Sequence, residues 1–438
     1  MSTTIALQKP KDISLGEIEA ELSQLWVGQE STSGVATRAA TFSMVVYEPE
    51  EFQQLLGILG FYKGPIDSTH GPNTRGAIHQ AQIAYGLRVT GRVDSETLQR
   101  LREEFQRLPE NRRTNRNMDL RGTSVSDAIA SRNPSRIVSL CPILGPDTGV
   151  KAQVSAYCPI QKSKTHSLMC CEYVTLRGTK EALARVSDLV AGLLIPDLPK
   201  FLWWKATPNP EQALFGQLSA IANCTIVDSC YFSDPASEFV KIHTLVEQES
   251  YIADLNWHRL LPWQELAASM FDPPERREGL MLVDEITIDY EKGNDAQALM
   301  YLSWFAGRLG WVPTSHKYLG GMYDIQHVTF TGSNGQEVKA ELAAIPTADF
   351  GEIPGDMIGL SLNSSDPSAD CCTILCSETT GCMRMESGGS AQSCRTELVT
   401  ALPDQKAAEL VAQQLQRWGR EILFEESVAV MVEILKLR

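Results

Sequence analysis

Ile195-Pro196-Asp197-Leu198-Pro199-Lys200-Phe201-Leu202-Trp203-Trp204-Lys205 places two prolines ahead of an almost unbroken apolar run. Proline keeps the residue before it out of the helical region, so the run reads as a strand with Trp203 and Trp204 on opposite faces. Outward from it, strand and helix patterns alternate. Residues 136–144, 150–158 and 168–176 are β-rich, and 180–194 carries a helical stripe of Leu183, Val186, Leu189 and Leu193. Residues 211–222 and 237–249 read as helices on either side of a strand at 225–229. This alternation predicts an α/β domain over 124–275, a sheet with helices packed on it.

Residues 276–438 have a different rhythm. A strand at 280–290 leads to a helix at 295–308. Runs at 323–331 and 338–344 are divided by Gly332-Ser333-Asn334-Gly335, a hairpin signal. A strand at 357–362, a cysteine-rich stretch and helical sequence from 405 to 438 complete an α+β domain with C-terminal helices. No internal repeat is present.

Upstream, residues 1–44 read as a lead-in with one amphipathic helix at 15–25 and a Ser/Thr/Gly-rich tether. Residues 45–105 read as three helices. Phe52, Leu55, Leu56 and Leu59 mark the first, Ala77, Ile78 and Ala81 the second, and Asp94-Ser95 caps a third ending at Leu98 and Leu101. The stretches Leu59-Gly60-Phe61-Tyr62, Gly64-Pro65-Ile66-Asp67, Gly71-Pro72-Asn73-Thr74 and Gly86 to Asp94 resemble the peptidoglycan-binding-like three-helix module. Residues 106–123, with Arg107, Arg112, Arg113, Arg116 and Arg121, form a basic linker. The fold class is thus multidomain: a small all-α module, an α/β domain, then an α+β domain.

A formal net charge of −15 over 438 residues argues against nucleic acid as a partner. No apolar run approaches the length needed to span a bilayer, and the N-terminus lacks the pattern of a secretory signal, so a cytoplasmic location is expected. There is no GxGxxG after a strand, no Gly-Lys dipeptide, no HExxH and no GxSxG. The seven histidines are dispersed singly. No catalytic, cofactor or metal site is therefore expected, and the chain is read as no enzyme. Tryptophan and arginine favour interface centres, because they combine large buried area with a polar handle. Trp203 and Trp204, with Trp257, Arg259 and Trp263 of Asp254-Leu255-Asn256-Trp257-His258-Arg259-Leu260-Leu261-Pro262-Trp263, are the candidate partner-binding residues.

Asn133-Pro134-Ser135-Arg136-Ile137-Val138, the 196–205 run, Ile226-Val227-Asp228-Ser229 and the 254–263 run together resemble the glucose-6-phosphate dehydrogenase assembly protein family, OpcA. The N-terminal module is similar to its cyanobacterial branch. The resemblance implies a non-catalytic allosteric activator and assembly factor that binds the oligomeric dehydrogenase and regulates the oxidative pentose phosphate pathway. It also implies redox control by thioredoxin.

Eleven cysteines include five within 24 residues: Cys371, Cys372, Cys376, Cys382 and Cys394. In a reducing compartment permanent bridges are not expected. Cys376 and Cys382 flank the polar loop Ser377 to Gly381 and are the candidate redox pair, with Cys371, Cys372 and Cys394 as rivals. A zinc site lacks any CxxC pair. Three further readings stand beside the activator: a peptidoglycan-binding cell-wall protein or hydrolase, a general scaffold, and a sugar-phosphate sensor using Arg136, Arg259 or Lys205.

Overall fold

The strand expected around the paired tryptophans forms as Lys200–Trp204, and it lies beside Phe42–Tyr47 in a parallel ladder running from Ser43↔Lys200 to Tyr47↔Trp204. The computed structural model describes residues 4–25, 35–38, 40–48, 51–63, 72–109, 134–143, 147–159, 167–206, 208–232, 234–274, 276–346, 353, 355–366, 369–377, 382–389, 396–401, 407–417 and 419–438. It contains two compact units. Unit 1 comprises residues 1–227, 248–253 and 407–418; unit 2 comprises 228–247, 254–406 and 419–438.

Unit 1 is built on one sheet. Its strands are β1 (Thr4–Ile13), β2 (Val35–Arg38), β3 (Phe42–Tyr47), β4 (Ser135–Pro142), β5 (Lys151–Pro159), β6 (Ser167–Gly178), β7 (Lys200–Trp204), β8 (Cys224–Val227) and β9 (Ile252–Asp254). The order is β1-β5-β6-β4-β3-β7-β8-β9, with β2 on β6. Parallel ladders join β6, β4, β3, β7 and β8. Counted from β3, the strands from β6 to β9 follow the order 3-2-1-4-5-6, the doubly wound arrangement of dinucleotide-binding folds. β3 and β4 are buried at every position. That is why they read as continuous apolar runs and not as alternating ones.

Asp197, just ahead of β7, takes a left-handed φ of 61°, a conformation Asp tolerates better than most residues. The Ile195 amide donates to Ser43 Oγ at 3.0 Å, which fixes the entry of β7 against β3.

The crossover from β3 to β4 is the three-helix module: Glu51–Ile58, Pro72–Tyr85 and Ser95–Arg107. Leu55, Leu56, Tyr62, Ala77, Ile78, Ala81 and Leu101 form a core of its own. Asp94 caps the third helix through Oδ1, which accepts from the Thr97 amide at 2.8 Å. Buried Gln82 organises the turn before it. Its Nε2 donates to Thr90 Oγ1, Arg92 O and Thr97 Oγ1, and its Oε1 accepts from the Thr90 and Gly91 amides, all at 2.8–2.9 Å. Gln54 Nε2 donates to Pro142 O at 2.6 Å and ties the module to the end of β4.

Two expectations on organisation need correction. Residues 1–44 are no mere lead-in, since they supply β1, β2, the first three residues of β3 and the helix Ile18–Gln24, whose Ile18 and Leu22 are buried. β1 sits at a sheet edge, where exposed Lys9, Lys11 and Asp12 are compatible with ladder hydrogen bonds, so its polar composition concealed a strand. The second concerns the boundary at 275/276. The chain leaves unit 1 after Val227, returns at Gln248 and contributes Ala407–Gln414 again near its end. Residues 26–34 of the expected tether, the Gly64-Pro65-Ile66-Asp67 turn, residues 110–123 of the basic linker and Cys394 lie outside the described residues.

Unit 2 holds an eight-stranded sheet of β10 (Glu285–Glu291), β11 (Val312–Gly320), β12 (Ile325–Thr331), β13 (Glu337–Ile345), β14 (Met357–Asn363), β15 (Asp370–Ser377), β16 (Cys382–Gly389) and β17 (Thr396–Ala401). Its order is β11-β12-β13-β10-β14-β15-β16-β17; β10 and β13 are parallel and the other neighbours antiparallel. The helix Ala296–Leu309 is buried at eleven of fourteen positions and ends at Gly310, whose φ of 65° supplies the left-handed cap. Phe305, Trp311 and Phe330 link this helix to β12 through ring contacts at 5.5 and 5.8 Å. The helix Ile422–Leu435 packs alongside it.

Candidate functional site

In a doubly wound sheet, ligands bind outside the carboxyl ends of the strands where the order reverses, here between β3 and β7. Buried side chains stand at the ends of these two strands. Tyr47, the last residue of β3, stacks on Trp204, the last of β7, with ring centroids 3.8 Å apart and planes within 5°. Phe215 meets the other side of Trp204 edge-on at 5.0 Å. One residue further along each strand, Lys205 Nζ donates to both carboxylate oxygens of Glu48 at 2.8 and 2.7 Å. Both side chains are more than nine-tenths buried, and Nζ also lies 4.4 Å from the centroid of the Trp203 ring.

The sequence after β3 continues as Glu48-Pro49-Glu50-Glu51, the last opening the first module helix. A pyrophosphate cradle needs glycines for close backbone approach and free amides at a helix start. Three carboxylates and a proline, which has no amide hydrogen, offer the reverse. Unit 1 therefore has the strand order of a dinucleotide-binding protein without its phosphate cradle.

The other cations considered for phosphate are likewise matched internally. Arg136 donates from Nε to Glu172 at 2.7 Å, and through a terminal nitrogen to Glu19 at 3.1 Å and the Leu193 carbonyl at 2.8 Å. Arg259 forms a two-pronged pair with Asp228 at 2.6 and 2.9 Å.

Around Arg259 several buried polar side chains of unit 2 converge. Asp254 Oδ1 accepts from the Ser229 and Asn256 amides at 3.0 and 2.9 Å. Gln297 Nε2 donates to Asn256 Oδ1 and to Asp356. Asn294 Nδ2 reaches the carbonyls of Ser229, Cys230 and Phe232. Asp228, Ser229, Asp254, Asn256 and Arg259 thus belong to one buried polar lattice within unit 2. Burial, and then the neighbouring Asp228 charge, push Asp254 up to about 6. Burial likewise drives the Cys230 thiol well above its usual range, which makes it a poor nucleophile.

A testable pH dependence follows. Folded Asp254 holds its proton up to about pH 6, whereas an unfolded aspartate releases it near 3.8. The folded state binds the extra proton between those values, so stability falls as pH rises through that window, by up to about 3 kcal/mol from this group. Asp254→Asn, which keeps the capping oxygen, is expected to flatten the wild-type slope in urea midpoints between pH 4 and 7. An unchanged slope contradicts the assignment.

Trp203, Trp204, Trp257, Arg259 and Trp263 are each no more than 3% exposed. Trp257 packs near Phe424 at 5.8 Å. These side chains build the cores of their units.

In the cysteine cluster, the β15–β16 register pairs Cys376 with Met383 and Ser377 with Cys382, so the candidate pair falls one residue out of step across the ladder. Cys372 is fully buried and Cys376 half-buried. The side chains of Cys371 and Cys382 are outside the described residues. A disulfide that sequence reasoning missed joins Cys158 to Cys170. Its only sequence signal is that the two cysteines sit at the facing ends of adjacent strand patterns. Among the described residues no group of His, Cys, Asp and Glu could hold a metal ion, and no helix is long and apolar enough to cross a membrane.

The class defined so far is a doubly wound protein carrying a helical module in the crossover from β3 to β4, with a second, α+β unit. Residues 126–244 match the family described as "Glucose-6-phosphate dehydrogenase subunit N-terminal domain", and 250–428 the corresponding C-terminal domain. Residues 47–101 match a "Putative peptidoglycan binding domain". Proteins named "Putative OxPP cycle protein OpcA" are similar over nearly the whole chain. That of Synechococcus elongatus is 56% identical over 99% of this chain and 98% of its own, and that of Nostoc punctiforme 52% identical over 100% and 96%. The protein of Synechocystis is 49% identical over 100% and 95%. The chain belongs to the OpcA family of glucose-6-phosphate dehydrogenase assembly proteins. Among solved structures, the 3-ketoreductase KijD10 of Actinomadura kijaniata aligns at 12% identity over 60% of this chain and 80% of its own, with a TM-score of 0.38. That likeness is too slight to transfer any chemistry.

Proposed function

We propose that this chain is a non-catalytic partner of glucose-6-phosphate dehydrogenase that favours the enzyme's active oligomer and so controls entry into the oxidative pentose phosphate pathway. The names of the family and of the full-length relatives support the partner. The observation that supports a non-catalytic role is the Glu48–Lys205 pair and the Tyr47–Trp204 stack standing where a doubly wound enzyme would hold its cofactor. An activator works by binding the working state of its target more tightly than the idle one. A differential of roughly 1–3 kcal/mol changes activity five- to a hundredfold. One regulator on each subunit also stabilises the oligomer by mass action. Thioredoxin control and a cytoplasmic location complete the proposal.

The test is dehydrogenase activity against glucose 6-phosphate concentration, with and without the purified chain, under oxidising and reducing conditions. Raised activity with co-elution of the two proteins is expected, and the chain alone should neither bind NADP nor turn over substrate. Failure to associate in both redox states ends the proposal, as does saturable NADP binding by the chain.

A further inference from the structure

The antiparallel β5–β6 ladder runs from Lys151↔Arg177 to Tyr157↔Cys171 and ends there. The next pair in register is Cys158 and Cys170, whose Cα atoms are 4.1 Å apart and whose sulfurs are bonded. Each half of this bond has a second strand neighbour. β1 pairs with β5 at Ile5↔Cys158, and β2 pairs with β6 at Arg38↔Cys170. Beyond Cys171 the β5–β6 ladder contributes no further pair, and Ser167, Leu168 and Met169 pair with β2. A covalent bond thus closes the end of the hairpin to which both N-terminal strands attach.

We propose that Cys158–Cys170 is a thiol–disulfide exchange centre whose reduction loosens β1 and β2 from the sheet and leaves the parallel core intact. Both half-cystines are almost wholly buried. Exchange therefore requires an opening, and the four-residue ladder of β2, which ends at Arg38↔Cys170, is the shorter of the two N-terminal attachments. A thiolate of a dithiol reductant attacks one sulfur and forms a mixed disulfide, and the other sulfur leaves as thiolate and takes up a proton. The second thiol of the reductant then attacks the mixed disulfide and releases the remaining cysteine. In total two electrons and two protons pass to the chain and the reductant becomes a disulfide; oxidation is the reverse exchange with an oxidised dithiol. Structural bonds in extracellular proteins resist such exchange, whereas those of reducing compartments usually serve redox sensing.

Regulation at this centre deepens the redox part of the proposed function, but its test uses the purified chain alone and does not depend on dehydrogenase binding. The full chain is alkylated before and after treatment with thioredoxin, its reductase and NADPH, with a second mass tag for thiols exposed afterwards. Cys158 and Cys170 should be unlabelled before reduction and both labelled after it. Amide exchange in residues 4–13 and 35–38 should rise roughly tenfold or more on reduction, with residues 42–47 and 200–204 unchanged. Cys158→Ser/Cys170→Ser should show the fast exchange in either redox state. Cys372→Ser/Cys376→Ser should keep the wild-type response, which separates this centre from the cysteine cluster. Alkylation of both cysteines before any reductant overturns the proposal. So does a reduced chain, or a Cys158→Ser/Cys170→Ser chain, with wild-type protection of both strands.

Discussion

Arg259→Ala is expected to destabilise unit 2 by about 3–5 kcal/mol, the scale on which removal of one partner from a buried ion pair acts. The Arg259 side chain is fully buried and holds both oxygens of Asp228, itself 5% exposed at the side chain. Removing the guanidinium leaves a carboxylate with neither water nor cation, beside Asp254, whose charge burial already disfavours. Arg259→Lys keeps the charge but loses the planar fork, so an intermediate loss is expected. The decisive comparison is Arg259→Met/Asp228→Leu. If the cost lies in the orphaned charge, the double variant regains most of the stability. Urea unfolding resolved by hydrogen exchange in residues 254–271 and 285–291 measures this. A loss under 1 kcal/mol for Arg259→Ala contradicts the account.

Trp204→Ala should cost unit 1 a comparable 3–5 kcal/mol. The indole is wholly buried between Tyr47 and Phe215, and loses both ring contacts along with its volume. Tyr47 belongs to β3 and Trp204 to β7, so the cavity opens between the two central strands. Trp204→Phe retains a stacking face and should lose no more than about 1.5 kcal/mol. Exchange protection of residues 42–47 and 200–204 gives the readout. Full protection in Trp204→Ala would show that the stack contributes little to the sheet.

Part of this architecture was legible in the sequence because its signals are local. Apolar runs marked the parallel strands, and the glycines and capping Asp94 marked the module. Strand order was not legible, because each ladder joins residues far apart in the chain; Glu48 and Lys205 are separated by 157 positions. The absence of GxGxxG gave no hint that the doubly wound order itself is present. The tryptophans were ambiguous for a physical reason. A buried core position and the centre of an interface select the same large, amphipathic rings, and only the burial of Trp203, Trp204, Trp257 and Trp263 within their own units separates the two. Cys158–Cys170 was missed because register, and not spacing, brings two half-cystines face to face.

The helical module sits in the loop that closes two adjacent central strands, and this bears on how the chain acquires its structure. β3 and β4 must meet across nearly ninety intervening residues, a long and entropically slow closure for an open coil. If the module collapses first around its own core, the open gap shortens to the three residues between Tyr47 and Glu51 and the 27 between Arg107 and Ser135. The peptidoglycan-binding-like insert would then act as a folding nucleus for the sheet, and its removal without a compact replacement would slow assembly of unit 1 well before it altered the finished protein.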